Sequence, residues 1–164
     1  MSDDSTPDAQ PGPSGLGGWL ILVGFGLIWG RLRVLGSLVR DFVPIFRDGT
    51  WEVLTTPGGE AYHPLWAPLL VGEVVGNLAF LAAGLALIVL FFLRSRRFPA
   101  LFIGTAVANL LYVLGDAWLG SIVLPDEPMF DADTAREVGS SAVGVLVWVP
   151  YMLASKRVKN TFVR

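Results

Sequence analysis

The stretch Leu65–Leu93, LWAPLLVGEVVGNLAFLAAGLALIVLFFL, decides the fold. Glu73 is its one charged residue. Coiled as a helix at about 1.5 Å per residue it reaches roughly 40 Å, enough to cross a hydrocarbon core of about 30 Å. Arg94, Arg96 and Arg97 follow at once and end the segment.

The same reading extends to both sides. Phe98–Leu124 is a second apolar run, with Asp116 its one charge and Pro99 in the first turn, where a missing N–H costs little. Pro125-Asp126-Glu127-Pro128 ends it. A further helix is expected over 135–154, with Thr134 as N-cap and Glu137 completing a capping box. Pro150 should kink it near its end. On the N-terminal side an apolar run begins at Leu16, but its uncharged part to Gly30 rises only about 22 Å. That helix must continue through Arg31 and Arg33 to about Val39. The spacing therefore predicts spans at 16–39, 65–93, 98–124 and 135–154: an all-α, polytopic membrane protein built as a four-transmembrane-helix bundle. Around it the sequence places a Pro- and Asp-containing disordered tail over 1–15 and a basic cytoplasmic tail over 156–164. The 40–64 connection, rich in breakers yet partly apolar, is either a short interfacial helix or a solvated loop.

Composition agrees. Hydrophobic residues make up 53% of the 164, and charged residues 16%, against about 25% in soluble domains. The absence of cysteine excludes disulfides, thiolate metal sites and a cysteine nucleophile. A single histidine, His63, excludes a multi-histidine metal site and reads as a loop residue. A net charge of −2 gives no case for nucleic acid. The N-terminus lacks the basic region of a secretory signal. No G-x-S-x-G, H-E-x-x-H or P-loop occurs, and no cofactor is implied.

Orientation follows the basic residues. With both termini cytoplasmic, Arg94, Arg96, Arg97, Lys156, Arg157, Lys159 and Arg164 lie inside. The opposite topology puts five at most inside: Arg31, Arg33, Arg40, Arg47 and Arg136. The expectation is N-in/C-in.

The candidate site is the polar set within the spans: Arg31, Arg33, Glu73, Asn77, Asn109 and Asp116. Charged groups cost roughly 2.5–3.5 kcal/mol each at a helix centre, so opposite signs are expected to pair. Counted at about 1.5 Å per residue, Arg31 and Arg33 lie roughly 22–26 Å from Leu16, Glu73 about 12 Å from Leu65 and Asp116 about 27 Å from Phe98. All four fall in the outer half, above Asn77 and Asn109. Glu73 and Asn77 share a helix face, as do Asn109, Tyr112 and Asp116. Gly26-x-x-x-Gly30 and Gly72-x-x-x-Gly76 have the spacing of close helix contacts. Three readings stay open: an ion-pair network that fixes the bundle, a polar cavity for a ligand, ion or proton, or snorkelling arginines with unrelated carboxylates. Asp126, Glu127, Asp131, Asp133 and Glu137 form an acidic stretch that reads as a solvated loop before it reads as a cation site. Trp19, Trp66, Trp118, Trp148 and Tyr151 read as interfacial anchors.

Several local patterns occur together: Gly17-Gly18-Trp19-Leu20-Ile21-Leu22, Arg31-Leu32-Arg33, Glu73-Val74-Val75-Gly76-Asn77, Arg96-Arg97-Phe98-Pro99, Trp148-Val149-Pro150-Tyr151, and Ser155-Lys156-Arg157-Val158-Lys159-Asn160-Thr161-Phe162. Over about residues 16–163 the chain resembles the YdgK-like family of small bacterial inner-membrane proteins, a four-helix domain of unknown function. The resemblance implies a bacterial inner-membrane location and supports both termini being cytoplasmic; with no established activity, it supplies no catalytic residues to carry over. The expected function is that of a non-catalytic inner-membrane protein that binds a membrane or envelope partner or supports an envelope process, with the lipid bilayer as its surroundings. A transport or sensing component with a polar cavity open to the outer side is the alternative. An enzyme using the carboxylates is weaker still.

Overall fold

A computed structural model describes residues 12–164. The expectation of a disordered tail over 1–15 falls mostly outside these residues. Those described form helices and connecting turns, without strands. They comprise α1 (Trp19–Ser37), a wide π-type turn (Leu38–Phe42), α2 (Val43–Arg47), α3 (Thr50–Thr55), α4 (Trp66–Phe92), α5 (Phe98–Val123), α6 (Ala132–Ala154) and α7 (Lys156–Thr161). Four runs are long and apolar enough to cross a membrane: Trp19–Arg47, Trp66–Phe92, Phe98–Val123 and Ala132–Ala154.

The first run passes Val39 and ends only at Arg47. Pro44 does not break it, because Pro44 occupies the first turn of α2, where no N–H is required of it. The wide turn just before it relieves the usual clash of a proline ring with the preceding carbonyls. The 40–64 connection therefore divides into a continuation of the first helix, the short α3 and turns. Phe46 and Trp51 close this corner, with ring centroids 5.2 Å apart. The fourth run begins earlier than expected. Asp131, not Thr134, is the N-cap, accepting from the Thr134 N–H at 2.7 Å. Pro150 lies inside that helix, which continues to Ala154.

The spans pack as a row that curls. α1 lies on α4, α4 on α5, and α5 on α6. α1 and α6 are the two edges, with no comparable packing between them. They touch where Trp19 meets Trp148 edge-on, at 6.4 Å.

Most of the core lies at the end of the bundle that carries both termini. Leu20, Leu27, Leu87, Phe91, Phe98 and Phe162 are buried there. The segment 156–164, expected as a tail, folds back as α7 and caps this end. Ser155 caps α7 through the Val158 N–H. Val158, Thr161 and Phe162 are buried, and Phe162 stacks on Phe98 with centroids 4.5 Å apart. The chain then seals itself to the α4–α5 turn. The Arg96 N–H donates to the Arg164 carbonyl at 2.7 Å, and the Arg164 N–H to the Arg94 carbonyl at 3.3 Å. Arg94 is left-handed (φ 53°), the C′ residue of a Schellman motif in which Ser95 N–H donates to Leu90 O and Arg94 N–H to Phe91 O. On the other side Thr161 Oγ1 donates to Gly15 O, and Arg157 to Ser14 O, both at 3.2 Å. Gly18 is needed here, because it opens α1 at φ 58°, a conformation that residues with a side chain rarely adopt.

Candidate functional site

The intramembrane polar residues separate into two layers. Depth is counted along each helix from the termini end at about 1.5 Å per residue. Glu73, Asp116 and Glu137 then lie roughly 25–29 Å up, and Arg31, Phe80, Asn109 and Ser141 roughly 16–20 Å up.

In the upper layer the Glu73 and Asp116 carboxyls are within hydrogen-bonding reach of each other, with Glu137 and Tyr112 near enough to interact. The Tyr112 ring sits on Gly76, and its hydroxyl donates toward the Gly72 and Glu73 carbonyls at 3.4 and 3.3 Å. So Gly76 of the Gly72-x-x-x-Gly76 pair is where α4 and α5 approach closely. Gly26 and Gly30 have open space where a Cβ would stand, and join no helix contact. Asn77 donates to the Glu73 carbonyl of its own helix at 2.9 Å. It does not meet Asn109.

The expected pairing of Arg31 or Arg33 with Glu73 and Asp116 does not form. Among the described residues the one ion pair is Arg40–Asp41, between neighbours in sequence at 2.7 Å. The reason is the direction of the side chains. In a helix they lean toward its N-terminus. For α1 that is the termini end, so both arginines slope away from the carboxyl layer. Starting α1 at Trp19 rather than Leu16 lowers them further. Arg33 is exposed toward the bilayer side of α1, as the snorkelling reading has it. Arg31 turns inward. Its guanidinium lies across Gly84, where any Cβ would collide with it, and Nη1 donates to the Phe80 carbonyl. Its Nε is buried with no partner.

Arg31 borders a half-open cavity of about 360 Å³. All four spans contribute to it: Leu22 to Arg31 of α1, Phe80 and Leu87 of α4, Phe102 to Asn109 of α5, and Ser141 to Trp148 of α6. Its walls are mostly apolar. The polar groups on it are few: Arg31, Thr105, and the Asn109–Ser141 pair, in which Asn109 Nδ2 donates to Ser141 Oγ at 3.1 Å. This is the composition of a ligand site, apolar with a few fixed polar groups. The cavity lies where α1 and α6 fail to pack, and the Trp19–Trp148 contact bounds it toward the termini end. Trp148 is thus a cavity residue as well as an aromatic near a span end.

Several participants escaped the sequence reading. Ser141 and Thr105 are short hydroxyls in apolar runs and stood out by nothing. Gly84 acts through the side chain it lacks. His63 serves a turn, accepting from the Leu65 N–H through Nδ1 at 3.2 Å. The acidic connection gathers no cluster of three or more metal-ligating side chains among the described residues. Asp131 instead caps α6, and the Thr134 amide holds its carboxyl below the usual aspartate range.

A family model described as Protein of unknown function (DUF2569) matches residues 13–163. The chain belongs to the DUF2569 family. No curated protein and no solved structure matches it. The DUF2569 match begins at Pro13, whose carbonyl accepts from Asn160, and ends at Val163, whose carbonyl accepts from Arg96. The docked C-terminal segment is therefore part of the DUF2569 domain, and the cavity lies wholly within the match.

Proposed function

We propose that this protein is a non-catalytic component of the bacterial inner membrane, of YdgK-like kind, with both termini cytoplasmic, and that it senses or carries a ligand taken from within the bilayer. The cavity bordered by Arg31 supports this reading above any other observation. It is of ligand size, runs from mid-depth toward the termini end, and faces the gap between the two edge helices. The route in is thus lateral, between α1 and α6, rather than from the outer face. The seven basic residues at the termini end support the cytoplasmic assignment.

The chain has no cysteine, so single cysteines report cleanly. With Thr105→Cys, a lipid-dissolved maleimide should label the cavity in intact membranes, and a charged impermeant one should not. Labelling by the charged reagent alone would remove the reading. A periplasm-active reporter fused after Arg164 should be silent, and activity there would overturn the orientation. A second reading, docking of a membrane or envelope partner, is favoured by α6, in which Met152 is the one buried residue. Cross-linking from Leu146→Cys tests it: a partner adduct supports it, and lipid contacts alone do not.

A further inference from the structure

We infer that the cavity binds a single-chain amphiphile with an anionic head, a carboxylate or phosphate monoester, and that Arg31 holds the head. This rests on the lateral uptake just proposed and names its ligand.

Three observations lead there. Arg31 is a cation at mid-membrane whose known partner is one neutral carbonyl, Phe80 O, and its Nε is buried without an acceptor. No carboxylate lies within ion-pair distance of it among the described residues. A guanidinium carries five donors in a planar fork that suits a carboxylate or phosphate. An anion in the cavity would neutralise that charge.

The second observation is shape. From Arg31 the cavity runs down α1 to Leu22, about 14 Å along the helix. Leu27, Leu87, Phe102 and Val145 line that stretch. A bare inorganic anion would leave this apolar channel empty, whereas one extended aliphatic chain lies along it. The third is access. The edge helices α1 and α6 leave their gap beside the cavity, and Gly26 and Gly144 line it with no atoms where a Cβ would stand. A chain can therefore slip in sideways. Ser141 and Asn109, at the same level, offer further hydrogen bonds to the head.

The test uses the full chain in phosphatidylcholine nanodiscs with photoreactive dodecyl phosphate. Cross-links should saturate and map to cavity residues such as Phe102 and Val145. Dodecanol should compete at least about tenfold more weakly, because a charge-assisted hydrogen bond is lost. Inorganic phosphate should not compete. Arg31→Gln should lose binding by at least about tenfold, while Arg33→Gln on the exposed face should bind normally. Should Arg31→Gln fail to fold, Gly26→Leu, which fills open space, should abolish the cavity cross-links in a stable protein. Equal competition by dodecanol overturns the anionic head and leaves lateral uptake standing. Competition by inorganic phosphate equal to that of the lipid overturns the amphiphile. Cross-links confined to the outer faces of the helices overturn the site and the uptake together.

Discussion

The two ends of this bundle are built differently. At the termini end, aromatic rings close on one another. Phe91, Phe98 and Phe162 pack mutually, α7 lies over them, and the backbone of Arg164 is pinned to the α4–α5 turn. At the loop end, polar groups join a smaller apolar set of Leu69, Leu70, Val113 and Val123: the Glu73 and Asp116 carboxyls, and Tyr112 seated on Gly76. The difference follows the solvent. The cap lies beyond the spans, where water makes burial of Phe162 favourable. Between lipid-bathed helices that drive is absent, and close packing and hydrogen bonds must hold them instead. A tight end and a looser end leave the cavity between them, beside the α1–α6 gap.

This contrast can be broken by substitution, and the largest effect belongs to the tight end. Phe162→Ala should cost about 3–4 kcal/mol, read as a lowered unfolding midpoint in nanodiscs. An unchanged midpoint would mean the cap holds nothing. At the other end Gly76→Ala forces Tyr112 off its seat and should cost roughly 1–3 kcal/mol, the usual range for overpacking. If it were neutral, α4 and α5 would be looser than drawn. Between the ends, Ser141→Ala removes one interhelical hydrogen bond. It should cost only about 0.6 kcal/mol, and a loss as large as that of Phe162→Ala would show a third, unrecognised support.

The smallest effect is local and depends on pH. The Thr134 N–H stabilises the ionised form of Asp131, so its folded pKa is depressed. Its contribution is therefore present above the ordinary aspartate range and is lost as pH falls through the lowered folded value. The protection of the Thr134 amide against exchange, relative to its intrinsic rate, should fall in acid. In Asp131→Asn, where the cap accepts without titrating, that pH dependence should vanish. If it persists, another group controls the first turn of α6.

Much of the fold was legible from the chain. Leu65–Leu93 fixed a span by length and hydropathy, and Pro99, Arg94 and Arg97 marked the turn beside it. Boundaries were less so. Val39 looked like an end because Pro44 followed, yet a wide turn carried the helix past it. The candidate site was half legible. The polar residues were found by their cost in lipid, and Glu73 and Asp116 lie in one layer by helix rise. The partner of Arg31 was missed because it is a backbone carbonyl over a glycine, and neither has a side chain to read.

The sequence by itself determined that four helices cross a membrane and that polar groups lie inside it. Apolar length and intramembrane charge are properties of single segments, needing no neighbour. Only the tertiary structure decided which groups meet. Side-chain lean sent Arg31 away from the carboxyls and onto Gly84, and α7 folded back because Phe162 found Phe98. The cavity also belongs to the assembly, since it exists only where α1 and α6 stand apart.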